Sequence, residues 1–175
     1  TAAVAAGGAT LNPDVGFNKT EEYNGTSWTE VNNMPNFFRN QSGAGIITAG
    51  VVSGGMEGPS SSYPGITVTT TTLEYDGTNW TSGGANLTTA PGLSSGGTQT
   101  SAWFAGYSPG TLNTHYDGTS FVTSASTAAT HSAAGGGAPQ AAGIIFGGWA
   151  PGLSSATEEF TAETTSTNVK TITSS

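Results

Sequence analysis

The sequence predicts an all-β fold assembled from repeated units of short antiparallel strands. Three observations carry that expectation. First, Gly accounts for 27 of 175 residues, Thr and Ser are abundant, and only 8% of residues are charged. The Leu, Glu, Lys, Arg and Ala runs that build long helices are missing, whereas Thr, Val, Ile, Tyr and Trp suit strands and Gly suits the turns between them. Second, one short phrase recurs: Glu22-Tyr23-Asn24-Gly25-Thr26-Ser27-Trp28, then Glu74-Tyr75-Asp76-Gly77-Thr78-Asn79-Trp80, then His115-Tyr116-Asp117-Gly118-Thr119-Ser120-Phe121. A fourth copy, Glu159-Phe160-Thr161-Ala162, has lost the Asp-Gly and the second aromatic. Third, an aliphatic or small-residue run ending in Gly precedes each copy: AAVAAGG (2–8), AGVVSGG (49–55), SAWFAG (101–106) and AGIIFGG (142–148).

The elements of a unit follow in order. Its first segment is a Gly/Ala/Ser run, present as RNQSGAG (39–45), APGLSSGG (90–97) and THSAAGGG (130–137). Such a run suits a strand where backbones crowd, because larger side chains would collide there. The aliphatic run is the second strand. The acidic-aromatic phrase is the third. Asn-Gly or Asp-Gly then marks a tight hairpin turn that needs positive φ, so Asp76-Gly77 is expected to join a strand ending at Tyr75 to one starting near Thr78. The aromatic-Thr segment is the fourth strand. Tyr and Trp are large enough to fill a wedge between neighbouring sheets.

The period is about 40–50 residues, which marks a repeat architecture with four strands per unit. The units run approximately 1–33, 34–85, 86–127 and 128–175, within one domain. The first begins at its second strand. NVKTITS (168–174) reads as the fourth strand of the last. The expected fold is a small β-propeller of about four blades, the first incomplete, with a sandwich or open stack as the alternative. Since bare edges invite pairing, either the four blades close with one short blade, or residues before Thr1 complete it, or another subunit does. MEGPSSSYPGITVTTT (56–71) is expected to be the longest loop, and YSPG (107–110) and WAPG (149–152) equivalent turns on one face.

Several function classes are disfavoured. The formal net charge is −8, with only Lys19, Arg39 and Lys170 basic, which argues against nucleic acid and against anionic membrane surfaces as partners. No Cys is present, which removes disulfides, thiolate metal sites and Cys nucleophiles. No apolar run reaches about 18 residues, so membrane insertion is not expected, and no signal peptide is apparent. His115 and His131 are the only histidines, too few for a His-based metal site. Glu21-Glu22 and Glu158-Glu159 are paired carboxylates, but adjacent strand residues point to opposite faces and cannot converge on one bond. Asp14, Glu57, Asp76 and Asp117 are conceivable calcium ligands, with a turn role the more economical account of Asp76 and Asp117. No cofactor and no catalytic residues are expected.

The aliphatic-Gly-Gly strand followed by Glu-x-Tyr-Asp-x-x-x-x-Trp resembles the blades of kelch-type, galactose-oxidase-like propellers. The stretch TLEYDGTNWTSGGANLTTAPGLSSGGTQTSAWFAG is similar to the low-charge kelch-like repeats of marine and cyanobacterial tailed-phage virion proteins. Asn86-Leu87-Thr88-Thr89-Ala90 and Gly97-Thr98-Gln99-Thr100 stand in matching places, while the Arg usual in the small run survives only at Arg39. The resemblance covers nearly the whole chain. It implies a non-enzymatic structural or adhesion component of a virion, located on the particle or a cell surface. Such a component contacts other protein subunits in an oligomer, and a host glycan through its loops. The alternative is a secreted or cell-surface lectin-like propeller. Tyr63, Tyr107 and Trp149 are the candidate sugar-stacking residues. Wedge packing is the better account of Trp103. The radical copper site of galactose oxidase is not implied, since it needs a Cys that this chain lacks.

Overall fold

The structure is a computed structural model describing residues 2–11, 14–58, 65, 67–107, 109–149 and 152–161, with backbone alone at 11, 14 and 15. The described residues form strands and no helix. Four sheets follow the repeat. The first is β1 (Ala3–Ala6), β4 (Thr20–Tyr23) and β5 (Trp28–Glu30), in the order β1-β4-β5. The second is β7 (Ser42–Ile46), β8 (Ala49–Ser53), β11 (Thr72–Tyr75) and β12 (Trp80–Ser82), ordered β12-β11-β8-β7. The third is β13 (Ser94–Thr98), β14 (Ser101–Ala105), β15 (Asn113–Tyr116) and β16 (Phe121–Ser124). The fourth is β17 (Gly135–Gly137), β18 (Ala142–Phe146) and β19 (Thr157–Thr161). All their pairings are antiparallel. Each sheet takes its strands from the small, aliphatic, acidic-aromatic and aromatic segments in the expected order. The first lacks the small-residue strand, and the segment 168–174 lies outside the described residues.

Two further pieces were not legible. The stretch expected as a long loop contributes β9 (Met56–Gly58) and β10 (Thr67–Val68) to a three-stranded sheet with β6 (Phe37–Arg39), ordered β10-β9-β6. Its physical basis is a half-buried acceptor: the Glu57 carboxylate takes hydrogen bonds from Asn36 (2.6 Å), Thr69 (3.0 Å) and Thr71. Phe38, fully buried, anchors the other edge. A small hairpin, β2 (Ala9–Leu11) with β3 (Asp14–Gly16), precedes β4.

The hairpin turns also differ in detail from expectation. Tyr75 pairs directly with Trp80, so the connection is the four-residue loop Asp76–Asn79 and not a two-residue turn. Gly77 carries the positive φ (93°) and Asp76 does not. The Asp76 Oδ1 accepts the N–H groups of Thr78 (2.8 Å) and Asn79 (2.6 Å), and those bonds hold its carboxyl below the usual carboxylate range. Asp117 does the same with Ser120 and Thr119, and its carboxyl is likewise lowered. Asn24 makes the equivalent neutral cap.

The sheets lie side by side in chain order, with one apolar cluster at each junction. Met34, Phe38 and Leu73, with Ala6, Val52 and Trp80 against them, fill the first. Val51, Ala90, Leu93, Ala102, Phe104, Tyr116 and Phe121 fill the second. Trp103, Ala105 and Ile145, with Ala134 and Phe160, fill the third. Each fully buried large side chain contributes about 1.5–3 kcal/mol, so these clusters hold the stack together. The small-residue strands meet along one side, where β13 contacts β7 and β17. A Cβ on Gly96 would lie 2.5 Å from the Ala138 carbonyl and 2.7 Å from the Trp103 indole nitrogen. That close approach is why the segment must be small. No sheet closes on itself, and no hydrogen bond among the described residues joins the first sheet to the fourth.

Candidate functional site

The polar chemistry of the molecule is concentrated at the junctions between sheets, and it recurs in register. Tyr75 on β11 donates its hydroxyl to Glu22 on β4 at 2.8 Å. One unit later, Tyr116 on β15 donates to Glu74 on β11 at 2.9 Å. Both phenols are fully buried. Burial, reinforced by the carboxylate each faces, pushes both up to about 12. Trp80 adds a second link to the first junction, its indole N–H reaching the Thr20 hydroxyl at 2.9 Å.

Glutamines at the tips of the small-strand hairpins reach the same way. Gln99 donates to the carbonyls of Gly50 (2.9 Å) and Tyr75 (3.1 Å). Gln140 donates to those of Ala102 (2.7 Å) and Tyr116 (3.3 Å). In each case a side chain from one unit clamps two strands of the preceding one. Sequence reading missed the role of Gln99 and did not single out Gln140. The available signal was the recurrence of Gln just before the second strand of units three and four.

The third junction departs from the rule at both partners. Phe160 replaces the Tyr and His115 replaces the Glu, and their rings sit 6.1 Å apart. Phe160 also packs edge-on against Trp103 at 4.9 Å. Trp103 is fully buried, with its indole N–H on the Ala138 carbonyl at 3.2 Å, so it is a wedge between sheets.

His131 and Glu158 form a buried pair that the sequence did not announce. The His131 Nε2 lies 2.9 Å from the Glu158 Oε1, and its Nδ1 lies 2.8 Å from the Gly147 carbonyl. Glu158 also accepts the N–H groups of Ala128 (2.7 Å) and Ala129 (2.8 Å). The pair ties a loop to β19 within the fourth unit. Glu159, its neighbour along the strand, is exposed, as the alternation of strand faces requires. Among the described residues no three His, Asp or Glu side chains converge as a metal would need.

The three loop aromatics do not form one site. Tyr63 lies outside the described residues. Tyr107 is half-buried, packs against the second-junction cluster, and lies over Gly110. Trp149 is 55% exposed and pairs by its backbone with Ser132 and with Leu153, itself 97% exposed. No ring contact or hydrogen bond joins Tyr107 to Trp149.

A groove of about 640 Å³ opens between β1 and the β7–β8 hairpin, lined by Ala3, Val4, Ala44, Ile46, Ile47 and Trp80 among others. No side chain lining it titrates. It lies where the first sheet lacks the small-residue strand that the other three possess. No family model matches the chain, and no curated protein matches it in sequence.

Proposed function

We propose that the chain is a non-enzymatic structural and adhesion component of a virion or surface assembly, a kelch-like stack of four blades arranged radially. It acts through contacts with other protein subunits, and with a surface glycan through its loops. The observation that carries this reading is the employment of the carboxylates. Glu22 and Glu74 receive tyrosines of the next unit, Asp76 and Asp117 cap turns, Glu57 closes an added sheet, and Glu158 holds His131. Acid–base catalysis needs converging titratable groups in a cleft, and these carboxylates are instead spread over two junctions, two turns, an added sheet and a loop contact. The groove offers apolar and backbone surface, which suits a polypeptide more than a reaction.

The test is fractionation. Antibodies against the chain should recover it with intact particles and not with the soluble fraction; recovery only as free protein sinks the reading. Exposed Trp149 beside Leu153 favours a second reading, a lectin-like module, since an exposed indole face stacks on sugars. A glycan array with the purified chain tests it. Binding that disappears in Trp149→Ala, with melting unchanged, would support the lectin; no binding to any glycan would remove it.

A further inference from the structure

The tyrosine–glutamate link has a direction: at the first two junctions a unit presents its phenol backward onto the carboxylate of the unit before it, while Ser94 and Trp103 donate forward. At the first junction the donors are the Tyr75 hydroxyl and the Trp80 indole N–H, and the acceptors are the Glu22 carboxylate and the Thr20 hydroxyl. The same strand positions recur on the first and fourth sheets, which no hydrogen bond among the described residues joins. In the first unit the donor positions are Tyr23 and Trp28. In the fourth unit the acceptor positions are Glu159 and Thr157. Tyr23 and Trp28 pair with each other across β4 and β5 as Tyr75 and Trp80 pair across β11 and β12. The ring geometry is the same too, with centroids 5.2 Å apart at 35° against 4.8 Å at 33°.

Exposure separates the ends from the junctions. Thr20 and Tyr75 are fully buried, whereas Thr157 and Glu159 are exposed and Trp28 is 50% exposed. The small-residue strands agree. β13, flanked on both sides, buries Ser94 and Gly96, while Gly43, Gly45 and Ile46 of β7 and Gly135 and Gly136 of β17 are exposed.

From this we infer that the chain associates head to tail with a second copy of itself, the first unit of one copy docking on the fourth unit of the next. Tyr23 donates to Glu159 and Trp28 to Thr157 of the neighbouring copy. This deepens the subunit-contact reading above and names the partner. The interface is heterologous, with different surfaces on its two sides, and repeats the chemistry of the first internal junction. The charge relation fits as well. The first and second junctions each set a neutral phenol against one carboxylate, which strengthens the hydrogen bond and brings no second charge to it.

Complementation tests it. The wild-type chain should show a mass by light scattering that rises with concentration. Tyr23→Phe with Trp28→Phe removes one side of the interface, and Glu159→Gln with Thr157→Val removes the other. Each pair should weaken self-association at least about tenfold with the melting temperature unchanged. An equimolar mixture of the two variants keeps one intact surface of each kind, so it should form heterodimers and stop there. Should the Glu159/Thr157 variant melt early, Glu159→Lys replaces it, and should the Tyr23/Trp28 variant melt early, Tyr23→Phe alone replaces it; each should give a loss on its own side. A wild-type chain that stays monomeric overturns the inference, as do variants that associate like wild type or a mixture that stays monomeric. A monomeric chain still recovered with particles would sink head-to-tail association and leave the structural role standing.

Discussion

Replacing Tyr116 by Phe removes one oxygen from the middle of the stack and nothing else. The hydroxyl donates to the Glu74 carboxylate at 2.9 Å from a fully buried position. A hydrogen bond to a charged group contributes about 1.5–3 kcal/mol, and the loss is larger when the orphaned partner stays away from water. Glu74 is half-buried, so the expected cost stays within that range. For a chain of this size each kcal/mol moves the melting temperature by about 2–4 °C, so the variant should melt about 3–12 °C early. The assay is thermal or urea unfolding of four proteins: wild type, Tyr116→Phe, Glu74→Gln and the double variant. Groups that act only as a pair show a coupling of at least about 0.5 kcal/mol in such a cycle, and the double variant should lose clearly less than the sum of the singles. The third junction already displays the outcome in the native chain, since Phe160 over His115 packs with neither hydroxyl nor carboxylate. A Tyr116→Phe variant within about 0.5 kcal/mol of wild type, or singles that simply add, would show that the junction is held by apolar packing alone.

Three other perturbations follow from the same geometry. Tyr75 and Tyr116 sit at about 12, above the ordinary phenol value, so the fold favours their neutral form. Stability should be intact below about pH 10 and fall as pH rises towards 12; the absorbance of phenolate should show two tyrosines titrating late, together with unfolding. Asp76 and Asp117 are lowered by the turn N–H groups they accept. Their contribution is therefore present above about pH 4 and lost as pH falls further. The double Asn variant should keep the turns, as Asn24 does, and flatten that acid limb in denaturant midpoints. Glu158→Ala strands the buried His131 and two backbone N–H groups, so unfolding should occur at least about 3 kcal/mol earlier, while Glu159→Ala, on the exposed face, should change stability by less than about 0.5 kcal/mol.

Repetition decided what the sequence could reveal. The four-segment order was legible because each segment type returns at the same place, and a property read off one copy was checked by the others. The turn residues were legible in role but not in form. Asp-Gly signalled a hairpin correctly, yet the carboxylate's reach to two N–H groups favours a longer loop capped by the side chain over a two-residue turn. What occurs once stayed hidden. The β6–β9–β10 sheet has no counterpart among the described residues of the other units, and its strands are too short to show a period. His131 was noted only as one of two histidines, because its partner, Glu158, stands 27 residues away and read as half of an acidic pair. Of the loop aromatics, the sequence marked Trp149 and Tyr107 as equivalent; the fold buries half of Tyr107 against a core cluster and leaves Trp149 open.

A repeat also records which residues belong together, and here the exceptions carry more information than the rule. Periodicity shows Glu before Tyr in one unit, which suggests neighbours on a strand. In space Tyr75 and Tyr116 each serve the Glu of the unit before, so the working pairs stand 53 and 42 residues apart and never share a hairpin. The two changes at the third junction, Glu to His at 115 and Tyr to Phe at 160, are far apart in sequence and make no sense within either unit. They make sense only across the junction, where a phenol without its carboxylate, or a carboxylate without its phenol, would leave a buried polar group without its partner. At the third junction the two rings instead lie 6.1 Å apart, tilted by 35°. The stack therefore tolerates two kinds of junction, one polar and paired, one aromatic. Tyr23 and Glu159 retain the halves of the polar kind at the two open ends.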